Sequence, residues 1–522
     1  MVKKRNGGYR QGKGAERSAK RSAKRSAKRG AERRNAKKGA ALIGAALALG
    51  AALLAAWLFF GAAPRLRARI DAPMDLDRID LNVVMHPGDG TCAVTERIAF
   101  VNRTGQALDH AVVRFYLNAF SDAETCPLSR SELFDRVFPG GFSPGGVTLQ
   151  GARIGDAAAE CAWLDSLKTA LKVSVGSLAP GEGCEIVLNY ALTVPECGFR
   201  CGRSEDIWLL GGAFGTLAVW DAEKGDFRLD PFTALGAPFL SDTATYTVTV
   251  LPGDGWQAAA SCPLAWENGV LKGRDFAGRE MAILFYRGME VRSASFGDVG
   301  VRFAAKKDVK EADRVIRRAA EIMEAYQEAY GPCPLDTLTI SAAPWAAEEM
   351  TFPGLIVLSE ELFRGEEEWE LPLSRGAARQ WFGCMAGADR FSDPWQEEAL
   401  CRWAVLNYVG RKYGGRSREL LEAEYAEMPM RETVTAALTP GSPLDRFEDP
   451  DEYGTVVCGR GTAFLKALDI HLEGGLDGVL RAYAERYAWK RASRRDFEDL
   501  LAEWSGQDLS GLALDYLDTL IR

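Results

Sequence analysis

Apolar and polar residues alternate at period two along IDLNVV (79–84), VVRFYLNAF (112–120), CEIVLNYALTV (184–194) and TYTVTVL (245–251). Turn sequences separate these runs: PGDG at 87–90, SPGG at 143–146, APGEG at 179–183 and PGDG at 252–255. Alternation bounded by turns predicts half-buried strands, so 65–295 is read as a β-rich domain of saddle or sandwich form. At about Lys307 the period changes. Ala312, Val315, Ile316, Ala319, Ile322, Met323 and Tyr326 recur at three and four, and Gly331-Pro332 closes the predicted helix. LDTLTIS (335–341) and PGLIVLS (353–359) read as short strands, and most of the chain from there to Arg522 reads as helix. The second domain, 296–522, is therefore mixed α+β and mostly helical.

The first 63 residues show neither pattern. Residues 1–38 carry sixteen Lys and Arg against Glu16 and Glu32, with RSAK repeated from Arg17 to Lys28. Such a segment has no apolar face to bury and is expected to be a disordered cytoplasmic tail. Residues 39–63, GAALIGAALALGAALLAAWLFFGAA, hold no charge over a length that crosses a hydrocarbon core about 30 Å thick. They are read as a signal anchor. The basic excess before them puts the N-terminus inside, which predicts a single-pass plasma-membrane protein with extracellular domains. The basic tail is accounted for as this topology signal, so a membrane partner is expected and a nucleic-acid partner is not.

Composition adds little, since 47% hydrophobic and 26% charged residues are ordinary for a globular chain. Eleven cysteines are too scattered for a disulfide scaffold, although Cys197-Gly-Phe-Arg-Cys201 allows one local pair or loop clip. There are only three histidines, His86, His110 and His471.

The candidate chemistry lies in RGAARQWFG (375–383) and in Trp395-Gln-Glu-Glu398-Ala, with 18 residues between Arg379 and Glu398. A zinc hydrolase of the HExxH type places two imidazoles at i and i+4 on one helix face, a Glu beside the first as general base, and a third ligand on a second helix. The chain resembles the membrane alanyl aminopeptidase family, the gluzincins that include leukotriene hydrolase, whose pattern is HELAHQWFG and then, after the same gap, a Glu in WxNEG. Stretches 217–250 and 494–517 are also similar to that family, so the resemblance covers roughly 65–522. It implies a β saddle joined to a thermolysin-like domain.

Residue by residue, the resemblance assigns the family's two histidines to Arg375 and Arg379, its catalytic Glu to Gly376 and its third zinc ligand to Glu398. Its GMEN-type strand falls on Glu349-Met350-Thr351-Phe352-Pro353-Gly354, which puts the amino-anchoring Glu at Thr351. Its oxyanion-stabilising Tyr falls at Cys458. Zinc is the family's cofactor, and with these ligands replaced none is predicted here. The expectation is an inactive aminopeptidase relative that binds a peptide or protein in its cleft or serves as an assembly partner, with Arg375, Arg379, Glu398, Met350 and Thr351 as candidate binding residues. An Arg-Glu-Arg cluster of Arg375, Glu398 and Arg379 would then fill the vacant cation's place, structurally or as a positive floor for an anionic ligand.

The alternatives are arginines lying on a solvated helix face, an active enzyme with a metal site rebuilt from Glu398, Cys384, Cys401 and Cys458, thiol catalysis by Cys458, or a purely structural ectodomain. Cys458 has no histidine within local reach to activate it. Oligomeric state is not legible.

Overall fold

The computed structural model describes residues 66, 71–129, 131–233, 235–236, 239–434 and 437–520. Residues 64–522 make one compact unit. The predicted alternation is present: Asp77–His86 and Thr91–Val101 bury every second side chain, as strands with one face on a core do. They sit at the centre of an eight-stranded sheet. Asp77–His86 pairs in parallel with Ala244–Leu251 and antiparallel with Thr91–Val101, which in turn pairs with Gly183–Thr193. A four-stranded sheet built on Leu108–Arg114 and Ala170–Leu178 contributes Phe115 to the same core, where its ring meets Tyr190 of the larger sheet at 5.2 Å.

VVRFYLNAF departs from its predicted strand. The strand ends at Arg114, and Tyr116–Phe120 is a 3-10 turn in which every residue is buried. A run enclosed on all sides has no polar face to keep in register, and Asn118 fixes the turn by donating to Lys168 O (2.6 Å) and accepting from Val147 N (2.6 Å). Nor do Cys197 and Cys201 pair as a disulfide. The Cys197 thiol donates to the Cys201 carbonyl at 3.3 Å, and all eleven cysteines are free.

The helical part begins with a five-stranded sheet in the order Met289–Phe296, Val299–Lys306, Thr337–Ala343, Leu355–Ser359, Glu349–Phe352. Helix α1 (Ala312–Tyr330) lies where its periodicity placed it and buries Val315, Ile316, Ala319, Ile322 and Met323, ending at Gly331 with φ +99°. Helices α2 (Glu370–Trp381) and α3 (Trp395–Tyr413) come next, then α4 (Gly461–His471), α5 (Leu476–Arg486) and α6 (Arg494–Ser505). The chain thus has a β-rich N-terminal domain and a helical C-terminal domain.

The expected transmembrane helix is corrected here. Among the described residues no helix is long and apolar enough to cross a membrane. The two longest, α1 and α3, have 19 residues each and are broken by charges, including Arg314, Arg317, Arg318 and Glu321 in α1 and Glu397, Glu398, Arg402 and Arg411 in α3. The same finding overturns the single-pass plasma-membrane placement with extracellular domains. The segment 39–63 that carried that expectation, and the tail 1–38, lie outside the described residues.

Candidate functional site

Helix α2 is anchored through both members of its QW pair. Gln380 accepts from Gly354 N (2.9 Å) and donates to Phe352 O (3.2 Å), which ties the helix to the turn between strands Glu349–Phe352 and Leu355–Ser359. That turn requires glycine. Gly354 has φ +70°, and a Cβ there would stand 2.0 Å from Ser261 O. Trp381 Nε1 donates to Gly331 O (3.2 Å), at the end of α1. With the helix so fixed, Arg375 and Arg379, one turn apart, point to the side where the hairpin and the first turn of α3 supply carboxylates.

Arg379 is enclosed by three of them. Nη1 donates to Glu349 Oε1 (2.9 Å), Nε to Glu397 Oε1 (2.8 Å) and Nη2 to Glu398 Oε2 (2.8 Å). The side chains of Glu349 and Glu397 are 5% and 3% exposed. Arg390 donates from Nε to Glu397 Oε2 (2.6 Å) and from Nη2 to Gly383 O (3.1 Å). Arg375 reaches Glu349 Oε1 (3.3 Å) and the exposed Glu348 (3.3 Å), but not Glu398. Three largely buried arginines therefore face three largely buried glutamates, and their charges sum to zero. Burial alone would lower the Arg379 pKa, but Glu398, Glu397 and Glu349 hold it well above the ordinary arginine value. Burial raises Glu397, and Arg390 and Arg379 more than reverse this, leaving it below the usual carboxylate range. Glu349 stays raised by burial in spite of Arg375 and Arg379.

No family model matches this sequence, and no curated protein does. Solved structures do match. The M1 zinc metallopeptidase of Deinococcus radiodurans superposes with a TM-score of 0.61 at 16% identity, covering 85% of this chain and 95% of that one. A mutant of that enzyme bound to a Tyr-Ser-Ala substrate gives a TM-score of 0.61 at 18% identity, with the same coverage. A two-domain M1 zinc metallopeptidase mutant bound to L-arginine gives 0.60 at 16%, covering 86% and 95%. The fold is that of the M1 zinc metallopeptidases.

Within the M1 fold, the residues on this chain do not fit a zinc ion. A guanidinium has only N–H groups to offer and no lone pair. The three glutamate oxygens nearest the centre are already engaged by Arg379, and a dication would add two positive charges to a set that already sums to zero. Among the described residues no group of three His, Cys, Asp or Glu side chains is placed to hold a metal. His110 sits in the β domain beside Asp109 (2.5 Å), and His471 Nδ1 lies 2.8 Å from Ala467 O.

The remaining candidate residues fall into different surroundings. Gly376 backs directly onto Thr351: a Cβ at Gly376 would meet Thr351 Oγ1 at 2.7 Å and Ile356 Cδ1 at 3.1 Å. Thr351 Oγ1 is buried without a hydrogen-bond partner. Met350 lies in an apolar cluster with Trp345, Phe352 and Leu355 and takes no part in the charge network. Cys458 lies in the π-helical turn Gly454–Arg460, where burial pushes its thiol up to about 11. Burial likewise raises Cys384 to about 12 and Cys401 well above the ordinary thiol. Cys401 donates to Phe382 O (3.5 Å).

The Arg-Glu-Arg cluster expected from the sequence is thus present in altered form. Arg379 and Glu398 meet, Arg375 turns to the hairpin instead, and Glu349, Glu397 and Arg390 complete the set. The arginines do not lie on a solvated face, and the neutral charge sum removes the positive floor. Glu349 stands where the family motif has glycine, and this was the signal that could have disclosed it.

Proposed function

We propose that this chain keeps the M1 peptidase architecture without its hydrolytic chemistry and acts by binding a peptide or protein, or as a component of an assembly. The observation that carries this reading is the enclosure of the Arg379 guanidinium by Glu349, Glu397 and Glu398 at 2.8–2.9 Å, where a metal-dependent hydrolase of this fold needs open coordination. Three further features support it. Gly376 cannot take a proton, and its backbone lies too close to Thr351 to admit a larger side chain without rearrangement. The thiol at Cys458 is buried, which pushes it up to about 11, and the carboxylate in its electrostatic surroundings, Glu398, is itself engaged by Arg379 at 2.8 Å. The thiols that would serve a rebuilt metal site, Cys384 and Cys401, are buried, and Cys401 is engaged by the Phe382 carbonyl at 3.5 Å.

The reading is tested by assaying a panel of aminoacyl and peptide substrates with the purified chain, with and without added zinc. No turnover above the no-enzyme rate is expected in either condition. Turnover that rises with zinc and falls with a chelator would contradict the proposal. Binding is then read as the rise in melting temperature produced by unhydrolysed peptides.

A further inference from the structure

Away from the arginine cluster, a pocket of about 440 Å³ opens between the β-rich sheets and the loop that joins α5 to α6. This volume is in the range that small-molecule sites occupy. Its apolar wall comes from Phe100, Leu108, Leu217, Trp220 and Phe227, and its other wall from Trp489, Lys490 and Arg491. Nothing in the peptidase-like reading uses these residues.

The second wall holds an unusual conformation. Trp489 has φ +62°, a region that bulky side chains rarely occupy. The loop is clamped there by backbone bonds: Trp489 N donates to Met385 O (3.1 Å), Gly387 N donates to Lys490 O (3.0 Å), and Arg279 donates to the same carbonyl. The clamp places three consecutive residues along one cavity.

Three residues lining this pocket carry buried polar atoms without partners: Thr243 Oγ1, Trp489 Nε1 and Arg491 Nη1. Thr243 and Trp489 are 6% and 7% exposed. Indole and guanidinium nitrogens only donate, so what this wall lacks is an acceptor. The charges around it are otherwise matched. Arg103 is taken by Asp77 (2.6 Å), and Asp242 lies 3.7 Å from Arg491 Nη2, which leaves Asp75 and Lys490 to offset each other.

We propose that this pocket binds a small carboxylate with an apolar, ring-sized body, whose oxygens take the free N–H groups of Trp489 and Arg491. The apolar wall excludes a bare inorganic anion as the best fit, and the cationic donor favours a carboxylate over a neutral carbonyl. Both N–H groups are closed off from the pocket, so Arg491, at 24% side-chain exposure, is the group that turns to open them to the ligand.

The test is a thermal-shift and calorimetric titration of the full chain with 3-phenylpropionate, indole-3-propionate and octanoate, with 3-phenylpropanol and inorganic phosphate as comparisons. At least one carboxylate is expected to raise the melting temperature in a dose-dependent way, while the alcohol and phosphate do not. Arg491→Gln and Trp489→Phe should each weaken that carboxylate by about tenfold or more. Trp489→Phe keeps an aromatic ring and removes the donor, so it carries the test if Arg491→Gln fails to fold. No shift with any of the carboxylates, an equal shift with the alcohol, or undiminished affinity in the folded variants would overturn the proposal.

Discussion

Arg379 Nη2 donates to Glu398 Oε2 at 2.8 Å, and this one bond joins α2 to the first turn of α3 at the place where the family resemblance sets a metal between two helices. Two more bonds from the same guanidinium, to Glu397 and Glu349, make it the hub of the site. Its removal would leave three carboxylates without their common partner, two of them nearly fully buried, and an uncompensated buried charge is costly. Arg379→Ala is expected to lower the unfolding free energy by about 3–5 kcal/mol in chemical denaturation. Adding Glu398→Gln should recover part of that loss, because the two changes share one interaction. Strictly additive losses would show that the pair is not coupled.

The glycine at the general-base position is constrained by its neighbours. A Cβ at Gly376 would approach Thr351 Oγ1 at 2.7 Å and Ile356 at 3.1 Å. Gly376→Ala is accordingly predicted to destabilise by about 1–3 kcal/mol through overpacking, despite alanine's better helix propensity. Thr351→Ala in the same chain should relieve part of the loss. A Gly376→Ala variant more stable than the parent would mean that the contact yields freely.

Much of this fold could be read directly from the chain, and the exceptions have physical causes. Helix α1 was legible because Val315, Ile316, Ala319, Ile322 and Met323 keep a 3.6 period, and the central strands because they bury alternate residues. Tyr116–Phe120 was not, since a segment buried on every side carries no alternation. At the site, the spacing of Arg375, Arg379 and Glu398 placed two helices correctly. It did not disclose that the arginines, a full helical turn apart, would meet different acids. Only Arg379 lies level with α3, and Arg375 meets Glu349 and Glu348 on the hairpin. Glu349 was missed although its place at the motif's glycine marked it, and Arg390 because its bond to Glu397 is set by tertiary folding, which no local spacing encodes.

A buried carboxylate outside the arginine cluster makes stability depend on pH. Glu96 is fully buried in the β domain, accepting from Tyr190 OH (2.7 Å) and Gly215 N (3.0 Å), and burial raises it from 4.5 to about 8. The folded state therefore holds a proton that the unfolded state releases, so between about 4.5 and about 8 this group makes stability fall as pH rises. Glu96→Gln should remove that slope. Its advantage over the parent is expected to grow across this window to a few kcal/mol at the alkaline end, read from denaturant midpoints at several pH values. Parallel pH profiles for parent and variant would refute the assignment.

Thiol accessibility gives an independent check on the cysteines. Cys384, Cys401 and Cys458 are buried and raised, whereas Cys161 and Cys184 are only partly buried. A thiol-specific reagent at neutral pH should label Cys161 and Cys184 first and reach the other three only on unfolding. Rapid native labelling at Cys458 would revive the thiol-nucleophile alternative.

The arrangement proposed to replace the metal is one guanidinium with three carboxylates, standing where the family resemblance puts the zinc ligands. It is tested most directly by elemental analysis of the purified full chain after incubation with zinc and dialysis. Zinc far below one equivalent per chain, unchanged by Glu398→Gln, is expected. Close to one equivalent, lost in Glu398→Gln, would contradict it and show that this glutamate still holds a metal.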